Sequence, residues 1–281
     1  QRNAYDPQFR NICDIYNGSL AELMRPICAE GGLQPGRRLE IGEGDFVLDV
    51  DVQMEGRWRD QAFERFELVS DFETDGMQNE YHTYGLGVPL IAVRDTSESR
   101  SVDEKYYPPS LTLPMTAFFE LAREDVEISL DANTTQRRRA VLRLFDPLEN
   151  QTLNTQGMTV PLESDITTPI AYHLNDPLLN TGLLATAALV NARLGENIHG
   201  MYMLEPYDPD KIPVVMVHGL WSSPVTWAQM FNDLRSVKEL RNNYQFWFYS
   251  YATGQPFLYS AGKMRTDLAM RRSELDSEGT T

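Results

Sequence analysis

Cysteine is scarce here, with only Cys13 and Cys28 in 281 residues, both near the front. Two thiols make no disulfide framework in a chain of this length, although they could pair. No Cys-x-x-Cys spacing offers a metal site either, so neither a metal nor any other cofactor is expected, and the redox compartment stays open. Basic side chains are outnumbered, 25 against 41 acidic ones, for a formal charge of −16. Neutralising phosphates needs a basic face, so this balance argues against nucleic acid and anionic membrane surfaces as partners. The single basic cluster, Arg137-Arg138-Arg139, reads as a solvated turn or strand end. Long apolar runs are missing as well. The longest, Leu183 to Val190, carries a threonine and falls short of the roughly 18–20 residues that cross a bilayer. No basic, apolar, small-residue leader follows Gln1. The chain is expected to be cut at both ends, which leaves its compartment and any membrane association undetermined.

What is present suits a globular protein. Hydrophobic residues make up 42% and charged residues 23%, enough to bury a core over one large or two ordinary domains. Phe9, Ile12, Ile15 and Tyr16 recur at helical spacing, and Leu20, Leu23, Met24 and Ile27 resume it beyond Asn17-Gly18. Ser19 with Glu22 is a capping-box pattern for the second piece, and Gly31-Gly32 closes it. Residues 1–36 are therefore expected to form a helical segment in two pieces.

Residues 37–198 change to strand patterns, at Phe46 to Val52, Phe63 to Val69, Val88 to Val93, Leu111 to Leu121, Val126 to Leu130 and Ala140 to Phe145. Turn clusters such as Asp75-Gly76, Pro108-Pro109 and Asp146-Pro147 separate them, which predicts a sandwich or barrel-like β domain. A helix is expected over Leu178 to Leu194, with a domain boundary at Gly195 to Gly200.

Residues 199–281 alternate strands and helices. Met201 to Leu204, Val214 to Val217 and Gln245 to Tyr251 read as strands, Trp227 to Leu234 and Phe257 to Leu275 as helices, and such alternation builds a parallel sheet. The informative stretch runs Lys211-Ile-Pro-Val-Val-Met-Val-His218-Gly219-Leu220-Trp221-Ser222-Ser223-Pro224-Val225-Thr226-Trp227. An apolar strand ends abruptly in His-Gly. Ser223 then stands at a helix N-cap, with Pro224 in the first turn, where its missing N–H costs nothing. Trp227, Met230, Phe231 and Leu234 follow at i, i+3, i+4 and i+7.

This stretch resembles the strand, oxyanion loop and first helix of the α/β-hydrolase superfamily, in its lipase and esterase branch. The resemblance spans about Gly200 to Leu275, a quarter of the chain. It implies an α/β-hydrolase fold with a truncated parallel sheet, preceded by the β-rich domain and its short helical N-terminus. It also implies a serine hydrolase of acyl esters working through an acyl-enzyme, on a small-molecule or lipid ester. Carried over, Leu220 supplies a main-chain N–H to the oxyanion, Gly219 lets the backbone approach the substrate, and His218 supports the loop. Trp221 and Tyr251 are candidates to line the acyl pocket, beside Tyr249 and Phe257. No Gly-x-Ser-x-Gly turn occurs in the chain, and Ser222 and Ser223 do not lie in one. The chain is thus expected to stop before its nucleophile and to be inactive alone. Two alternatives remain: a non-catalytic relative whose β domain binds or adheres, and a peptidase of the same superfamily.

Overall fold

The computed structural model describes residues 7–42, 46–95, 104–108, 111–122, 136–155, 157–175 and 200–275. The expected strand Val126 to Leu130, helix Leu178 to Leu194, boundary at Gly195 and tail after Leu275 lie outside the described residues. The chain divides into two compact units. One draws on residues 1–73, 80–95 and 112–169, the other on 74–79, 96–111 and 170–281.

The first unit opens with helix α1, Pro7–Ala29. Phe9, Cys13, Leu20, Met24 and Cys28 form its buried stripe, the pattern of a helix with one apolar face. Contrary to expectation the helix runs unbroken through Asn17-Gly18. The Asn17 amide competes with no local backbone group, because it is committed elsewhere. Its Nδ2 donates to the Gly85 carbonyl at 3.0 Å and to Glu163 at 2.9 Å, and its Oδ1 accepts the Gly87 N–H at 2.8 Å. Gly31, at φ +64°, turns the chain out of the helix. Cys13 and Cys28 share this helix, about 22 Å apart at 1.5 Å per residue, so they do not pair. Burial pushes their thiols up, to about 11 and about 12.

Beside α1 stands a six-stranded sheet built from β1 (Arg38–Ile41), β2 (Phe46–Met54), β3 (Phe63–Leu68), β5 (Val88–Arg94), β6 (Thr112–Leu121) and β7 (Gln136–Phe145), with β4 (His82–Thr83) lying outside it. Its order is β1-β2-β7-β6-β5-β3, and only β2 and β7 run parallel. The sheet is mixed and curled, half of a barrel. Val47, Val50, Val52 and Met54 of β2 are buried, while Asp49 and Asp51 stay half-buried and paired. Asp51 meets Arg38 at 2.8 Å, and Asp49 meets Arg137 at 3.0 Å. The basic cluster is therefore the start of β7, answered in part by the acids of β1 and β2. Past β7, the fully buried Asp146 accepts from Arg57 Nε at 2.8 Å, Trp58 Nε1 at 2.9 Å and the Leu148 N–H at 2.9 Å. The hairpin of β8 (Thr152–Thr155) and β9 (Met158–Pro161) adds Leu153 and Val160 to a cluster with Phe9, Cys13, Phe118 and Leu162. Then β10 (Ser164–Asp165) pairs with β4, and Asp165 caps the chain into α2 (Thr168–Asn175) by accepting the Thr167 and Thr168 N–H groups.

The second unit holds a smaller sheet of β11 (Gly200–Met203), β12 (Ile212–Val217) and β13 (Tyr244–Ser250), in the order β11-β13-β12. β12 and β13 are parallel, and β11 is antiparallel to β13. Between β12 and β13 come a 3-10 turn, Pro224–Trp227, and helices α3 (Ala228–Ser236) and α4 (Lys238–Asn243). Phe231 packs edge-on against Phe246 and Phe248, with ring centroids 5.9 and 5.3 Å away. Met216 and Ala228 complete that core. The buried stripe of α3 is Ala228, Phe231, Asn232 and Arg235, so the expected Met230 faces out. Asn232 is buried because its Nδ2 donates to the Asn79 carbonyl at 2.8 Å, holding the 74–79 segment of this unit. A last helix, α5 (Phe257–Leu275), buries only Ser260.

An α/β-hydrolase architecture is not what these elements make. The dominant structure is the curled, mixed half-barrel of the first unit, helices are few, and no helix-rich layers sandwich a long parallel sheet. The expectation failed in the last quarter itself, where β12 and β13 make a single parallel pair and β11 joins β13 antiparallel, and a curled mixed sheet dominates the other described residues. The earlier strands pair mostly with sequence neighbours, antiparallel, and among the described residues no α-helix connects them.

Candidate functional site

The informative stretch forms a loop at the carboxyl end of β12. β12 and β13 pair in register from Ile212↔Tyr244 to Val217↔Tyr249, so His218 and Tyr251 leave the sheet side by side. They are joined there three ways. The Tyr251 N–H donates to His218 Nε2 at 3.2 Å, the Tyr251 hydroxyl donates to the His218 carbonyl at 2.9 Å, and the rings stack with centroids 4.4 Å apart. His218 Nδ1 lies 3.1 Å from the Gly219 carbonyl.

These contacts fix the state of the imidazole. Nε2 accepts a hydrogen bond, so it carries no proton, and Nδ1–H is the nitrogen left to donate to Gly219. The ring is neutral, and burial holds its pKa below the ordinary histidine value. At 3% exposure it has no open face for a substrate. His218 thus braces the loop through its contacts with Gly219 and Tyr251.

Gly219 is open: a Cβ there would meet nothing within 4 Å. Leu220 and Trp221 follow, 70% and 81% exposed. Among the described residues no main-chain carbonyl accepts the N–H of Gly219, Leu220 or Trp221. Trp221 has φ +58°, a left-handed conformation that costs a bulky residue strain and clusters at functional sites. Ser223 stands at the start of the 3-10 turn in extended conformation, yet its side chain caps nothing. Its carbonyl accepts the Thr226 N–H at 3.1 Å instead.

Of the five candidate residues, the structure brings His218, Gly219, Leu220 and Trp221 together on one loop and places Tyr251 against it. The Tyr251 hydroxyl donates to the His218 carbonyl. Tyr249 is buried, donates to Asp267 at 3.1 Å and has its pKa raised by that burial, so it belongs to the interior. His82 lies in the other unit, 3.3 Å from Glu163, and His199 is outside the described residues. Among the described residues no group of three or more His, Cys, Asp or Glu side chains could hold a metal ion. None of their helices is long and apolar enough to cross a membrane. Sequence reasoning missed that Tyr251 is the partner of His218. The signal lay in the parallel pairing, which puts the residues just past two neighbouring strands beside each other. Compared with protein families, with curated proteins and with solved structures, the chain matches none of them.

Proposed function

We propose that this chain carries the oxyanion loop of a serine hydrolase acting on acyl esters. The observation that carries the reading is the braced turn His218-Gly219-Leu220, which offers main-chain N–H groups with no main-chain acceptor among the described residues, at the carboxyl end of a parallel strand pair. An acyl-transfer reaction builds negative charge on the carbonyl oxygen, and a fixed N–H aimed at that oxygen contributes about 3–4 kcal/mol. Preorganisation is what the brace supplies: two hydrogen bonds and a stacked ring hold the turn before any substrate arrives. Gly219 leaves room for an acyl group to lie against the backbone.

The reading also requires a nucleophile. No serine among residues 1–281 lies in a Gly-x-Ser-x-Gly turn, so the serine is proposed to come from polypeptide beyond Thr281. The test is covalent labelling with a fluorophosphonate and hydrolysis of nitrophenyl acetate. Residues 1–281 are expected to give neither. Polypeptide continued past Thr281 is expected to label on one serine and to lose both signals when that serine is replaced by alanine. Absence of labelling in the continued polypeptide overturns the reading, and hydrolysis by residues 1–281 above a heat-killed control overturns the placement of the serine.

A further inference from the structure

Part of the connection from β3 to β4, Thr74–Asn79, belongs to the second unit, while the chain up to Glu73 and from Glu80 belongs to the first. A tight turn shapes the segment. The Met77 N–H donates to the Thr74 carbonyl at 3.0 Å, and Gly76 takes φ +85°, the left-handed conformation such a turn asks of its third residue. A Cβ on Gly76 would meet nothing within 4 Å, so only the backbone requires glycine there.

One face of α3 grips this segment. Gln229 uses both ends of its amide, Nε2 donating to the Gly76 carbonyl and Oε1 accepting the Gln78 N–H at 3.0 Å. Asn232, fully buried, donates through Nδ2 to the Asn79 carbonyl at 2.8 Å, and Asp233 accepts from the Asn79 side-chain amide at 2.9 Å. Met77 packs against the core cluster that holds Met216, Ala228 and Phe231. Positions 229, 232 and 233 stand at i, i+3 and i+4, on one side of the helix. Main-chain groups of the segment thus take most of the hydrogen bonds and one apolar side chain anchors it, the division of labour by which peptides are recognised.

Gln229 lies just past Trp227, where the 3-10 turn that ends the loop gives way to α3. The Tyr251 contacts fix the loop at His218, its upstream end, and the grip on Gln229 fixes the helix at its downstream end. We infer that Thr74–Asn79 is an internal peptide ligand of α3, a strap that sets the order of residues 219–227, and that the same peptide supplied free can take its place. The inference stands apart from the ester-hydrolase reading, because it is tested on residues 1–281, where no hydrolysis is expected.

The experiment compares chymotrypsin cleavage after Leu220 and Trp221, which are exposed, with hydrogen exchange in α3 and β13. Replacing residues 74–79 by a glycine-serine segment of the same length removes the turn, the Met77 anchor and the Asn79 contacts. That variant should be cleaved at least tenfold faster at the loop and exchange at least tenfold faster in α3, with β13 unchanged. The free peptide of residues 74–79, at millimolar concentration, should slow both again. Gly76→Ala, which strains the turn without removing a contact, should give the same pattern to a smaller extent. The control Met230→Ser, at an exposed position of α3, should behave as the parent does. Parent-like rates in both strap variants, equal acceleration in the control, or failure of the free peptide to slow the glycine-serine variant would each overturn the proposal. Exchange that rises in β13 as much as in α3 in both variants would show a general loosening in place of a strap and overturn it as well.

Discussion

Tyr251 grips His218 at two separate points, with its own N–H on the imidazole Nε2 at 3.2 Å and its hydroxyl on the His218 carbonyl at 2.9 Å. One residue thereby fixes the ring and the main chain of another across neighbouring strand ends. Removing only the hydroxyl, in Tyr251→Phe, leaves the ring stack and the Nε2 contact. It should cost about 1 kcal/mol, the net value of one hydrogen bond. His218→Ala removes the acceptor of the Tyr251 N–H and the stacked ring together, and should cost more, about 2–3 kcal/mol. Urea unfolding of the two variants measures both, and equal costs would show that the hydroxyl bond is the whole brace.

The same geometry makes a prediction about protons. At neutral pH His218 should be the neutral Nδ1–H tautomer, visible as an unprotonated Nε2 in nitrogen NMR. Its folded pKa is depressed by burial, so the folded state resists a proton that the unfolded chain takes up near about 6.5. The stabilising contribution is present above that value and is lost as pH falls from it towards the folded pKa. His218→Gln should flatten this acid-side slope.

His82 has the opposite sign. The hydrogen bond to Glu163, 3.3 Å away, raises its pKa against the opposing effect of burial. Its contribution is fully present below the unfolded value of about 6.5 and is lost as pH rises through the higher folded one. The side chain is 47% exposed, so solvent screens the pair and the effect is small. His82→Gln should remove a shallow loss of stability between about pH 6 and 8, and leave the acid-side slope from His218 intact.

Asp146 should be the most sensitive polar residue of the first unit. It is fully buried, and its carboxylate receives Arg57, the Trp58 indole and the Leu148 N–H. Asp146→Ala leaves Arg57 with Glu149 at 3.7 Å and removes the carboxylate that receives the Trp58 indole and the Leu148 N–H, at a cost of about 2–3 kcal/mol. Asp146→Asn keeps an acceptor and should cost less. Fluorescence of the buried Trp58 during denaturation reads both, and a loss under 1 kcal/mol in the alanine variant would count against a keystone role.

How much of this was legible in the residues depends on how local each cause is. The strands at Phe46, Val88 and Leu111 and the turn after Val217 follow from alternation, apolar runs and the His-Gly break, all of which are neighbours in sequence. Three things were not local. Asn17 looked like a helix break, but its amide is used 68 residues away at Gly85. The Tyr251 hydroxyl is bonded to the His218 carbonyl, 33 residues earlier, a pairing no local pattern announces. The large sheet joins β2 to β7 in parallel, although some eighty residues separate them and no periodicity announces the pairing. The architecture was misjudged because the parallel sheet expected of the last quarter amounts to one pair, β12 with β13, bordered by the antiparallel β11, whereas the loop was found because its strand, glycine and turn are contiguous.

The final prediction separates main chain from side chain at the proposed oxyanion turn, and applies to the labelled enzyme of the continued polypeptide. Leu220 is 70% exposed, so its side chain holds little in place and Leu220→Ala should change stability by less than about 0.5 kcal/mol. It should also keep most of the hydrolytic rate, since the N–H remains. Gly219 has open space around its Cβ direction and no left-handed φ, so Gly219→Val should fold. Its branched side chain would nevertheless stand where the acyl group must approach the turn, and the rate should fall at least a hundredfold, in line with loss of one oxyanion donor, about 3 kcal/mol. Stability and kcat/KM measured on both variants give the answer. A Gly219→Val enzyme that folds and hydrolyses normally would remove the turn from the reaction. Equal rate losses in the two variants would mean that the Leu220 side chain, rather than its N–H, meets the substrate.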